Sequence, residues 1–334
     1  MDKKSKKLKN QKWETSKRIE DLYTKLLKRL LDPAKKKVLD KIKKDLKEIE
    51  EKSKEKELNA EESKKEIEKL KKDVVDILRN FANSEIYVKK AEDISTKIVT
   101  MTLTESMGTW KEAARKASNN PKMYELLMKE FERNKEVKEE YDRLLEQNSR
   151  LIKTLPEEIA KKVVEHVSAE SFASKRPEVI AKEIRQFFPE HTKAKEKLIS
   201  RTEAAKAKAA LTEARSKSVG AFWYVWHSTG DQRTRSAHAF MNNVICNYRH
   251  QPSPEALAKK HGLYEGKTYG KYGPGGIFNC RCFAQPIIDI DLVSFPCKLY
   301  DWEVDDVINM NSKKQFIEFA KEKGMPVKSL EDYK

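Results

Sequence analysis

TKAKEKLISRTEAAKAKAALTEARSKSVGAFWYVW, residues 192–226, is where the chain changes character. As far as Ser218 it is rich in Ala, Lys and Glu, residues of high helix propensity, and reads as one helix. The run Phe222-Trp223-Tyr224-Val225-Trp226 then favours a strand, with Trp and Phe expected on one face and Tyr on the other. Beyond it turn formers crowd the chain: Pro252, Pro254, Gly262, Gly266, Gly270 and the Gly273–Gly276 run. The reading is a mainly α protein, an extended helical N-terminal region followed by a small α+β C-terminal domain. The expected divisions are a basic helical segment over 1–60, a helical region over 61–190, an α+β domain over 191–300 and a C-terminal helix or tail over 301–334.

Working back from residue 192, apolar residues recur at three- and four-residue steps, the mark of helices with one buried face. Ile19, Tyr23, Leu26, Leu27, Leu30 and Leu31 form the first stripe, and Pro33 is placed to open the next helix at its first turn. That next segment, 34–60, carries only a thin stripe of Val38, Leu39, Ile42, Leu46 and Ile49, which suits a helix laid on a partner or a coiled coil with few apolar layers. Ile67, Leu70, Val74, Val75 and Leu78 stripe a further helix over 63–80, and others are expected over 87–118 and 122–150, with Asn119-Asn120-Pro121 as a break. Another should follow Pro156 to about 166, and one should run from Pro177 to Phe188, ending before Pro189. Trp110, Tyr124, Phe131 and Tyr141 read as packing residues.

The 334 residues carry a net charge of +16, 37% of them are charged, and mean hydropathy is −0.81. Residues 1–50 alone hold 18 Lys/Arg against 9 Asp/Glu. Such a surplus attracts polyanions, so double-stranded DNA is an expected partner; lysine far outnumbers arginine and aromatics there, which suits sequence-independent phosphate contact. No apolar run is long enough to span a membrane and no apolar leader opens the chain, so a cytosolic protein is expected. Four cysteines make no disulfide framework; reduced thiols or a metal site fit better.

Three of the four cysteines (Cys246, Cys280, Cys282) and three of the six histidines (His238, His250, His261) lie between Asp231 and Cys282. Thiolate with imidazole is a usual zinc ligand set. His238, Cys280 and Cys282 are the chosen ligands, with Cys246 or His250 completing a tetrahedron. One residue separates Cys280 from Cys282, against two to four in ordinary zinc knuckles, so a packed thiol pair beside a hydrogen-bonded histidine is the other reading. Cys297 reads as core. Asp231 beside Arg233 and Arg235 suggests an ion pair fixing a loop, or arginines facing phosphate. Arg201 and Glu203 suggest a buried charge pair tying helix to loop, and if zinc is held, Arg281, between the two cysteines, is placed to pair with Asp231 or Glu203. A nuclease would use His238 as base with Arg233 or Arg281 on phosphoryl charge, yet neither a paired carboxylate spacing for magnesium nor an H-E-x-x-H or P-loop pattern accompanies them. The Tyr269–Gly276 segment lacks the Lys-Ser/Thr helix start of a phosphate cradle and reads as a flexible turn.

Taken in order, Arg201-Thr202-Glu203, Trp226, Asp231, Arg233-Thr234-Arg235, His238 and Asn279-Cys280-Arg281-Cys282 resemble the C-terminal signature of the tailed-phage head morphogenesis family, the minor capsid (minor head) proteins that accompany the portal. The resemblance covers about residues 195–290. Family members usually place a leucine, a small or acidic residue and then glycine after the histidine; here Met241-Asn242-Asn243 stands there, and asparagine tolerates the left-handed backbone. The resemblance implies a non-enzymatic virion protein of the head interior, present in the host cytoplasm during assembly. It also implies portal, coat or scaffold proteins as partners and a part in head assembly, DNA packaging or DNA ejection. Structural zinc is the one cofactor the residues suggest. The alternative is a nucleic-acid-binding protein or a His-dependent nuclease or effector.

Overall fold

The computed structural model describes residues 13–55, 60–117, 135–168 and 177–328. A largely helical N-terminal region precedes a small mixed α/β domain. The helices are α1 (Lys17–Glu55), α2 (Ala60–Ala82), α3 (Glu85–Ala117), α4 (Lys135–Ser168) and α5 (Pro177–Ser218). The expected break at residues 119–121, the start of the 122–150 helix, Tyr124 and Phe131 lie outside the described residues. Among the described residues no helix is long and apolar enough to cross a membrane.

The chain divides into two compact units. One comprises Glu20–Ile98 and Leu145–Ser200 and is helical. Its core is the stripes read from sequence: Tyr23, Leu27, Leu31, Val38 and Ile42 of α1 and Leu70, Val74 and Leu78 of α2 are buried, as are Tyr87, Ile152, Ile159, Ile184 and Phe188. Two buried tyrosine hydroxyls find partners, Tyr87 Oη donating to Ile152 O at 2.6 Å and Tyr23 Oη to Asn148 Oδ1. Lys41 Nζ bridges Asp45 and Asp73 at 2.6 and 2.7 Å.

Three prolines expected to start or stop helices do neither. Pro33, Pro156 and Pro189 sit inside α1, α4 and α5. An interior proline costs about 3 kcal/mol through a lost hydrogen bond and a clash with the preceding turn. Each of these has buried apolar residues on both sides: Leu30, Leu31 and Ala34 around Pro33, Ile152, Leu155 and Ile159 around Pro156, Ile184, Phe188 and Ile199 around Pro189. Burial at about 1.5–3 kcal/mol per large side chain outweighs one proline.

The other unit comprises Met1–Ile19, Val99–Leu144 and Arg201–Lys334. Here the second half of α3 faces the Ala-rich end of α5: Lys208 Nζ reaches Glu105 and Thr109, and Arg215 Nη1 donates to Ser106 Oγ at 3.3 Å. Trp13 and Trp110 meet edge-to-face at 5.4 Å. After α5 come β1 (Trp223–His227), α6 (Ser236–Phe240), β2 (Val244–Asn247), α7 (Pro254–Lys260), β3 (Phe283–Pro286), β4 (Cys297–Asp301), β5 (Asp306–Met310) and α8 (Lys313–Glu322). The sheet order is β3-β1-β2-β4-β5, all neighbours antiparallel except β2 and β4. Residues beyond 300, read as helix or tail, thus supply the edge strand β5 before α8.

Period-two alternation sorts β1 differently from the aromatic reading. Tyr224 and Trp226 share one face, buried with Cys246, Tyr248 and Tyr272. Trp223 lies on the other, against Phe316 of α8 at 5.2 Å, its Nε1 donating to Met325 O at 2.7 Å. Removing this indole leaves both a cavity and an unpaired carbonyl. Trp223→Ala is expected to destabilise the protein by about 3–5 kcal/mol in denaturant unfolding followed by circular dichroism; Val304→Ala, at a 57% exposed position, is expected to leave the midpoint unchanged.

Candidate functional site

Two short segments form the site, both at the end of the β1–β3 pair where His227 faces Phe283. The first begins as β1 ends. Asp231 accepts at Oδ1 from Arg233 N and Thr234 Oγ1, closing a turn that Thr234 N also ties to Asp231 O at 2.9 Å. Arg235 then starts α6, a single turn that carries His238 inward. The way back into β2 passes through Asn243, whose φ of 63° is the left-handed backbone in which asparagine replaces glycine, and whose N–H donates to Trp226 O.

The second segment, Gly275–Cys282, leads into β3. Gly275 has φ +84°, and a Cβ there would lie 3.1 Å from Ala209 Cβ and 3.3 Å from Ala205 O of α5. Glycine is required for that approach. Asn279 is also left-handed at φ 55°, and its N–H donates to Thr202 Oγ1 of α5 at 3.1 Å.

These turns bring His238, Cys280 and Cys282 together, all buried, with their ligand atoms within 4.8 Å of one another. Cys280 Sγ lies 3.6 Å and Cys282 Sγ 3.4 Å from His238 Nδ1. Gly275 N–H donates to Cys280 Sγ at 3.3 Å. Hydrogen bonds from Cys282, His238 and that amide pull the Cys280 thiol down, while Cys280 and burial push the Cys282 thiol up. The trio is a candidate metal cluster. Cys246 and His250 are not in it. Cys246 pairs with Tyr224 across β1 and β2, its Sγ toward Val244 O, and burial raises its thiol; His250 stacks on Trp302 at 4.2 Å. Cys297 is half-buried at the start of β4, and burial pushes its thiol up to about 11.

Two supporting residues went unread in the sequence. His238 Nε2 lies 2.9 Å from Tyr272 Oη, which donates to Glu255 Oε1. Glu255 is fully buried, and its Oε2 has no hydrogen-bond partner among the described residues. Glu255 reads as an ordinary first-turn acid of a short helix and Tyr272 as part of a loose glycine loop. Only a histidine elsewhere in need of an orienting carboxylate would have singled them out.

The signature residues surround the trio. Arg201, Arg233, Arg235 and Arg281, with Thr229, Thr234 and Asn279, line a cavity of about 270 Å³ that reaches the trio. Asp231 pairs with Arg281 rather than Arg233 or Arg235, in a two-pronged bridge of 2.6 Å at each oxygen. Arg235 donates to Phe278 O and lies over the Phe278 ring at 4.9 Å. Trp226 meets the His238 ring edge-to-face at 5.9 Å. Glu203 pairs with Lys206, one turn along α5.

Residues 157–285 match the family model described as Phage Mu protein F like protein. That span holds every site residue from Arg201 to Cys282, and it meets the resemblance to head morphogenesis proteins read from the signature. The chain is also similar to an uncharacterized protein of Haemophilus influenzae, 28% identical over 153 residues that make up 46% of this chain and 30% of that protein. The chain therefore spans less than a third of that relative. No solved structure matches.

The Asp231–Arg281 bridge holds the Asp231 carboxyl down at about 2, chiefly by the guanidinium hydrogen bond. Because the folded value is depressed, the stabilisation is present above the ordinary carboxylate range and lost as pH falls through about 2. In Arg281→Ala protein, Asp231 is expected to titrate near its ordinary value of 3.8, read from its side-chain carboxyl carbon shift by NMR. A titration still near 2 would show that the loop amides, not Arg281, set it.

Proposed function

We propose that this protein is a non-enzymatic minor component of a tailed-phage head, docked on the portal or the capsid interior and aiding head assembly and DNA packaging or delivery. The observation that carries the reading is the family match over residues 157–285, which takes in the whole site. The site's geometry supports a structural part. Thr202 anchors the Asn279 turn to α5, and Arg281 of that turn holds the Asp231 loop, so one helix and two loops are tied at a single point. His238 is 2% exposed and faces Tyr272 with one ring nitrogen and two sulfurs with the other, an arrangement that favours support over proton transfer to a substrate.

The direct test is composition of purified heads. Heads banded from lysates in which this chain is made from its own locus should contain it in few copies relative to the coat protein. Deleting the gene should lower the yield of DNA-filled heads. Absence from the banded heads would overturn the proposal.

Double-stranded DNA is the partner that the basic surplus favours. Lys36, Lys43 and Lys47 are exposed along one side of α1, away from its buried stripe. Replacing all three with glutamate is expected to weaken duplex binding. The slope of log affinity against log salt should also become shallower by about 0.9 for each phosphate the variant no longer neutralises. Wild-type binding indifferent to salt would remove DNA from the partners.

A further inference from the structure

The geometry points to a zinc-class metal centre held by His238 Nδ1, Cys280 Sγ and Cys282 Sγ, with its fourth coordination position open to the arginine-lined cavity and taken by a phosphate-class oxyanion. This does not rest on the head-component reading.

The distances carry the first part. Zinc bonds of about 2.05 Å to nitrogen and 2.3 Å to sulfur at a tetrahedral angle place nitrogen and sulfur about 3.6 Å apart. The two observed separations are 3.6 and 3.4 Å. The protein thus holds both sulfurs at ligating spacing from the imidazole nitrogen.

The surroundings are those of a ligated histidine. A metal-bound imidazole uses its other nitrogen to donate outward, commonly toward a carboxylate, which fixes ring and tautomer. Here Nε2 faces Tyr272 Oη, and Tyr272 donates onward to Glu255. Burying Glu255 with one oxygen unpartnered is costly for a protein with nothing nearby to gain. Orienting a metal ligand is such a gain. On the sulfur side, the Gly275 amide aims at Cys280 Sγ, a contact suited to a thiolate.

The open position follows from the makeup of the cavity wall. Among the described residues no fourth His, Cys, Asp or Glu joins the group. Instead the trio borders the cavity of about 270 Å³, whose lining holds four guanidinium groups, the hydroxyls of Thr229 and Thr234, and no carboxylate. Two thiolates neutralise a divalent ion, so the centre adds no charge to repel an anion. Arg281 is taken up by Asp231, and Arg233 and Arg235 add positive charge to the lining beyond that pair. Planar guanidinium donors lining a small cavity suit the oxygens of phosphate.

The test uses the full-length chain purified under reducing, chelator-free conditions. Elemental analysis should find one zinc per chain, lost in Cys280→Ala and in Cys282→Ala but kept in Cys246→Ala, which removes a buried thiol outside the site. Glu255→Gln should retain the site with metal affinity weakened about 10- to 100-fold. In the cobalt-substituted protein, inorganic phosphate should alter the intensity of the visible d–d bands while the sulfur-to-cobalt charge-transfer band persists. A response to duplex DNA but not to inorganic phosphate would assign the oxyanion to a nucleic-acid backbone. Wild-type protein without metal overturns the centre. A cobalt spectrum that responds to neither anion overturns the open position.

Discussion

The constraint on which the site depends is the approach of the Gly275 turn to the alanine face of α5. A single added carbon at Gly275 would press on Ala209 and the Ala205 carbonyl. With the turn seated there, Asn279 reaches Thr202, Arg281 reaches Asp231, and the two cysteines come under His238. The run of alanines in α5 therefore does more than favour a helix. Its small side chains leave room for backbone to lie against backbone, and the site's geometry is inherited from that contact.

Much of this is legible in the sequence. The stripes in α1 and α2 name their buried faces, because a helix with one apolar side has few other ways to hide it. Asn243 reads as a left-handed substitute for glycine and has φ 63°. His238, Cys280 and Cys282 stand out by residue type and meet in space. The pairing of Arg281 with Asp231 is less legible, since Arg233 and Arg235 are nearer in sequence; all three line the cavity, and the distant arginine is the one that bridges to Asp231.

What is not legible shares a cause: each case depends on tertiary surroundings that a local pattern does not carry. The prolines at 33, 156 and 189 obey local rules for breaking helices, and the buried stripes on either side override them. Cys246 looks like a fourth ligand by proximity in the chain, but β2 turns its sulfur into the sheet's own core. Glu255 and Tyr272 carry no motif; their meaning comes only from His238 standing next to them.

The pairing of β2 with β4 has a consequence for synthesis. These two strands run parallel, so the link between them must cross the domain, and it contains α7, the Gly275 turn and β3. As the chain leaves the ribosome, β1 and β2 can pair as neighbours, but β2 keeps one bare edge until Cys297–Asp301 has emerged. The helical unit has no such wait, because its last residue is Ser200. Non-local strand pairing is slow and leaves edges exposed to other chains. The interval between Asn247 and Cys297 is therefore when a nascent copy is most open to pairing with a neighbouring one, a hazard that grows where many copies are translated together.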